Sequence, residues 1–220
     1  MAVYNLLILF SVRRRVYFYY VGFVLSILFV VLALNGASFQ FFWPGSTWLA
    51  DHSVGFLIPC TGFFVARFTI EYLSMGATAK EDRASYRYLK LVSNVLLVMA
   101  FLTLFVSYAE TIRPILLVEF VTAILCVTVG GLNWRAGSRE AMLYMVSWLV
   151  FLVGALAIIL AKLGVVATTA FTENGLALGT GLQVALLSFA LADQLKAMER
   201  AKTKAERKIA IAHIRALGKL

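Results

Sequence analysis

The chain has 220 residues, of which 62% are hydrophobic and 14% charged, and its mean hydropathy is +0.89. That balance excludes an ordinary water-soluble domain, which needs more charged surface and less apolar mass. The formal charge of +9 does not point to nucleic acid either, because the basic residues lie between apolar blocks and at the C-terminus, not on one soluble face.

Residues 1–12 are apolar but too short to cross a bilayer, and they read as the inner end of a first span whose outer part is missing. An interfacial or re-entrant segment is the other reading. Arg13, Arg14 and Arg15 follow where a secretory signal would show small residues, so no cleavable signal peptide is predicted. Six further blocks are long enough for full spans: 16–34, 54–75, 89–106, 115–132, 142–163 and 176–195. The expected fold is an all-α membrane bundle of six full transmembrane helices plus a truncated first one. Residues 1–195 form the transmembrane domain and 196–220 a cytoplasmic basic helix.

Lys and Arg placement orients the bundle. One set of connections holds Arg13–Arg15, then Lys80, Arg83, Arg87 and Lys90, then Arg135 and Arg139, then the C-terminal tail. The opposite set holds only Arg113 and Lys162. The first set is therefore expected in the cytoplasm, and the C-terminus with it. The longest outer connection, 35–52, carries Asn35, Trp43, Pro44 and Trp48. These aromatic residues fit either the membrane–water interface or a cap that contacts ligand.

Beyond Asp193 the chain is polar, alanine-rich and free of proline. Leu191, Leu195, Met198, Ala205, Ile209, Ala212 and Ala216 follow steps of four and three, with Lys202 in the one missing position. This is a weak heptad seam, and it predicts a parallel coiled coil and a homodimer. A basic helix lying on lipid is the alternative.

Ionisable groups inside spans are costly and each calls for a reason. Arg67 and Glu71 stand one turn apart, which permits a local ion pair or, alternatively, a partner for Arg67 on a neighbouring helix. Glu119 lies about one and a half turns below the outer surface and can pair with Arg113, orient a ligand or respond to protons. Asn35, Gln183 and Ser188 can bridge helices. Gly175 and Gly179 clear one face of the last span for close packing. Asp193 solvates the exit of that span.

Catalytic chemistry finds no support. His52 and His213 are the two histidines, and no Cys/His/carboxylate set has metal-ligand spacing. Cys60 and Cys126 fall inside apolar blocks and are not a disulfide framework. Gly179-Thr180-Gly181 follows no strand and precedes no Lys-Ser/Thr, so it is not a nucleotide loop. No cofactor is expected.

A set of short motifs in order carries a resemblance. Tyr4-Asn5 precedes Arg13–Arg15, followed by Tyr17, Tyr19 and Tyr20. Asn35-Gly36 leads through Phe39 and Gln40 to Trp43-Pro44. Arg67-Phe68 and Trp134-Arg135 come later. The most specific stretch is Thr172-Glu173-Asn174-Gly175, then Gly179, Gln183 and Leu187-Ser188-Phe189-Ala190-Leu191-Ala192-Asp193. The chain resembles the membrane domain of the bacterial seven-transmembrane receptors with diverse intracellular signalling modules. The resemblance implies an extracytoplasmic ligand-binding domain before the first span. It also implies a coiled coil after the last one, leading to a histidine kinase or diguanylate cyclase output. Relative to that pattern, the sensor domain, most of the first span and the output are missing. Gln183 stands where the family often has an acidic residue.

The leading expectation is thus a receptor module of the bacterial inner membrane. Its partners would be membrane lipid, a second copy, an extracytoplasmic ligand and an output domain. A small transporter or channel subunit is the runner-up, with Arg67, Glu71 and Glu119 lining a pathway. A membrane-embedded enzyme is the third class, without a catalytic constellation to support it.

Overall fold

Hydropathy periods of this length demand helices, since a lipid-facing backbone must satisfy its own hydrogen bonds. The computed structural model describes residues 14–74 and 83–217, and every regular element among them is a helix. In chain order these are α1 (Arg15–Leu34), the short α2 (Ala37–Phe41), α3 (Thr47–Ser74), α4 (Arg83–Leu102), α5 (Tyr108–Arg135), α6 (Arg139–Lys162), the short α7 (Ala170–Glu173) and α8 (Gly175–Leu217). Six of them, α1, α3, α4, α5, α6 and α8, are long and apolar enough to cross a bilayer. The expected partial span at 1–12 lies outside the described residues.

The apolar blocks mark the spans but not the full helices. α3 begins at Thr47 instead of 54, and α5 at Tyr108 instead of 115, with Pro114 inside it. α4 runs from Arg83 and stops at Leu102 instead of 106. Helical hydrogen bonding continues into the interface, where polar side chains such as Asp51 and Glu110 are solvated, so polarity does not end a helix there. At the start of α3 the Trp48 and His52 rings stack, with centroids 4.7 Å apart.

Turns fix the antiparallel path. After α5, Gly137 adopts φ 88°, a left-handed conformation suited to glycine, and Ser138 N–H donates to the Asn133 carbonyl at 3.1 Å. Ser138 then caps α6, accepting from Ala141 N–H at 3.2 Å. Pro59, buried within α3, removes one backbone donor, and the nearby Thr61 hydroxyl donates to the Leu57 carbonyl at 2.9 Å.

Contacts between helix ends define two faces of the bundle. Tyr72 Oη donates to the Glu140 carbonyl at 3.4 Å, and Asn133 Nδ2 donates to Tyr86 Oη at 3.2 Å. The C-terminal ends of α3 and α5 therefore meet the starts of α4 and α6. This end carries Arg14, Arg15, Arg87, Lys90, Arg135 and Arg139, and α8 leaves the bundle here. At the opposite end Gly55 packs near Thr103 and Tyr108.

α3 packs on α1, α4 and α5, whereas α8 packs chiefly on α6. Most of the largest fully buried side chains (Tyr17, Tyr20, Phe68, Tyr72, Leu89, Tyr144, Leu187 and Leu191) lie in the half of the bundle near the basic end. Leu117, Phe120, Leu149 and Phe189 are exposed, forming part of an apolar outer surface suited to lipid.

Candidate functional site

α8 is one unbroken 43-residue helix that carries the end of the last span onward. Its attachments define the site. At its first turns the backbone meets the backbone of α6. A Cβ on Gly154 would overlap the Gly175 carbonyl and come within 2.9 Å of Gly179 Cα. Gly154, Gly175 and Gly179 together therefore permit a contact that side chains would forbid.

Further along, α8 is tied to α1. Tyr20 Oη donates to the Val184 carbonyl at 2.6 Å, and the Tyr20 side chain is wholly buried. Near the basic end it is tied to α3, where Gln194 Nε2 donates to the Tyr72 carbonyl at 3.2 Å. The two tyrosines belong to one aromatic series. Tyr20 lies 5.5 Å from Phe68, Phe68 lies 5.3 Å from Tyr72, and Tyr72 lies 6.2 Å from Tyr144, centroid to centroid. Tyr144 of α6 shares a 2.8 Å hydrogen bond with the Thr69 hydroxyl of α3, which lies 3.5 Å from Cys126 Sγ of α5. A displacement of α8 at Val184 or Gln194 must disturb hydrogen bonds and ring packing that reach α1, α3, α5 and α6. Packed interiors resist continuous deformation and switch between discrete arrangements.

The residues singled out from the sequence fall into three groups. Glu119, Gln183 and Gly179 belong to the central part of the bundle. Glu119 of α5 lies against Gly62 of α3, where any Cβ would strike its carboxyl group. Glu119 and Gln183 line a common cavity of about 250 Å³ bounded by α1, α3, α5, α6 and α8. Glu119 has no ion pair with Arg113, which is exposed.

Arg67 and Glu71 do not form the local pair. The Arg67 guanidinium instead donates to Asn94 Oδ1 of α4, and it lies 5.6 Å from the centre of the Phe63 ring. The cross-helix alternative is the one that the geometry satisfies.

Asn35, Trp43, Glu173 and Asp193 are peripheral. Asn35 caps α1 and donates from Nδ2 to its own Val31 carbonyl at 2.9 Å, so it does not bridge helices. Trp43 is half-buried beside Phe42, with ring centroids 6.2 Å apart. Glu173 ends α7, and its side chain lies outside the described residues. Asp193 is exposed on α8, while the adjacent Gln194 makes the buried contact. The seam positions from Met198 to Ala216 have a helical backbone, and the side chains of Met198, Ala205, Ile209, Ala212 and Ala216 lie outside the described residues.

Sequence reasoning missed Thr69, Tyr72, Tyr144 and Trp148, while Tyr20 entered it only through the family motif and Thr180 only through the rejected nucleotide loop. A tyrosine near a span end reads as an interfacial anchor, and only its burial shows otherwise. Among the described residues no group of His, Cys, Asp and Glu could hold a metal ion.

Comparison with known proteins agrees with this architecture. A family model described as "7TM diverse intracellular signalling" matches residues 1–194. Neither the curated proteins nor the solved structures compared give a match. The matched region contains nearly all of the bundle and the part of α8 that it grips. A bundle of apolar helices with its last helix running onward fits a family of membrane sensors, and by this match the chain belongs to the seven-transmembrane receptors with diverse intracellular signalling modules.

Proposed function

We propose that this chain is the membrane module of a bacterial inner-membrane receptor whose signal leaves the bilayer as a movement of α8. The observation that carries this reading is the continuity of α8 from the Gly154 contact to Leu217. A helix without a break transmits translation and rotation, whereas a flexible linker would dissipate them. The lysines and arginines gathered at one end favour that end in the cytoplasm. A cytoplasmic output domain of the histidine kinase or diguanylate cyclase type would then follow, and an extracytoplasmic ligand would act from the opposite end. The heptad-like seam beyond Leu191 supports a parallel homodimer in which two α8 helices form a coiled coil.

The test is a fusion of the chain, supplied with a sensor domain, to a cyclase reporter. One to four residues are inserted after Lys196. Output is expected to vary with helical phase, returning near its starting level at about four residues. Output that declines steadily with insert length, without phase, would sink the rigid-helix mechanism.

A further inference from the structure

The cavity that holds Glu119 and Gln183 carries an unusual set of buried polar atoms. Glu119 Oε1 and Thr180 Oγ1 are buried without a hydrogen-bond partner, and both residues line it, as does Trp148, whose indole lies beside Tyr144. Trp148 is 4% exposed and Thr180 5%. Buried polar groups are paired in the large majority of cases, so two oxygen acceptors left open on one cavity point to an occupant that donates hydrogen bonds to them.

The chemistry of the wall narrows that occupant. Glu119 is the sole ionisable residue among those lining the cavity, and no Lys or Arg joins it there. An ionised carboxylate in such a place calls for a positive partner, which the lining itself does not provide; without one the group is held as the neutral acid. Phe23, Phe120 and Phe151, with Trp148, place aromatic rings around the same space. Aromatic faces attract an organic cation and accept an apolar body. Water can satisfy the polar atoms, but it leaves the apolar part of the wall, including Phe23, Phe120 and Phe151, without a partner. The volume of about 250 Å³ lies just below the range of about 300–1,000 Å³ typical of drug-sized sites, so the occupant is small. Phe120 lines the cavity and is also 66% exposed, so it stands between the cavity and the outer surface of the bundle.

We propose that this cavity is a binding site for a small lipophilic amine, with its ammonium group on Glu119 and its apolar body among the aromatic rings. Thr180 and Gln183 place α8 in the wall, so occupancy couples α5 to the exit helix. That consequence rests on the receptor reading, whereas binding itself does not.

The test uses the full chain in lipid nanodiscs, with 2-phenylethylammonium as the probe and 2-phenylethanol as its uncharged counterpart. Equilibrium dialysis is corrected for uptake by empty nanodiscs. Saturable binding of one amine per chain is expected, with the alcohol at least tenfold weaker. Glu119→Gln is expected to weaken amine binding at least tenfold. Ala123→Leu, which fills the cavity but leaves the carboxyl group in place, is expected to abolish it. Circular dichroism and gel filtration establish that each variant is folded, and Ala123→Leu serves alone if Glu119→Gln is not. Uptake that is linear in amine and equal to that of empty nanodiscs overturns the proposal. So does equal binding of the amine and the alcohol, or wild-type affinity in folded Glu119→Gln. Saturable binding that leaves a fused reporter unchanged preserves the site and removes α8 as its transmitter. Phase-dependent output without saturable binding does the reverse.

Discussion

The smallest unit that matters here is the buried hydroxyl. Thr69 donates to its own Val65 carbonyl at 2.8 Å while meeting Tyr144 Oη at 2.8 Å. Tyr144 is wholly buried, so water cannot replace a lost partner. Thr69→Val keeps the shape of the side chain and strips the hydroxyl. The expected loss is about 1–3 kcal/mol, read by denaturant titration of the protein in mixed micelles. Thr69→Ser is expected to retain most of it. Tyr20→Phe is milder, because the Val184 carbonyl keeps its intrahelical bond, and a loss of about 1 kcal/mol or less is expected. Its larger effect falls on signalling, as a shifted resting output in the reporter fusion. A reporter baseline equal to wild type would remove the Tyr20–Val184 bond from the relay.

At the scale of elements, the pairing of α6 with α8 stands apart, because backbone meets backbone. Gly154→Val is expected to push α8 away from α6 and to cost about 1–3 kcal/mol in the same titration. Gly131 and Gly181 are the controls, since a Cβ at either meets nothing within 4 Å. Alanine at these helical positions is expected to leave stability unchanged or raise it by up to about 1 kcal/mol, through helix propensity alone. Equal effects at Gly154 and Gly131 would mean that helix propensity, not packing, governs these sites. The six spans were legible in the sequence because a block of about 20 apolar residues has few other uses. Glu119 and Gln183 were legible because polarity within such a block is expensive. Thr69, Tyr72 and Tyr144 were not, because hydropathy counts a tyrosine with its apolar neighbours and says nothing about which face it occupies. Gly154 was hidden for a related reason: a lone glycine has no motif, and its meaning comes from Gly175 and Gly179 across the gap. Helix ends at Thr47 and Tyr108 escaped detection because the helices outrun their apolar blocks.

Across the whole molecule, orientation and assembly are open to direct measurement. A C-terminal green fluorescent protein fusion is expected to fluoresce, and an alkaline phosphatase fusion to be inactive, if the basic end faces the cytoplasm. Met198→Cys and Ala205→Cys are expected to give disulfide-linked dimers in native membranes. Monomers at both positions would count against the coiled coil. One dimension of α8 gives these tests a further use. From Gly179 to Leu217 the helix covers 38 residues, or about 57 Å at 1.5 Å per residue. With the glycine contact as a fulcrum, a tilt of about 5° swings the far end by about 5 Å, yet moves the backbone at Val184 by less than about 1 Å on the same rise. The lever arm therefore turns a shift of under about 1 Å at Val184 and about 2 Å at Gln194 into one that spin labels near the C-terminus can resolve.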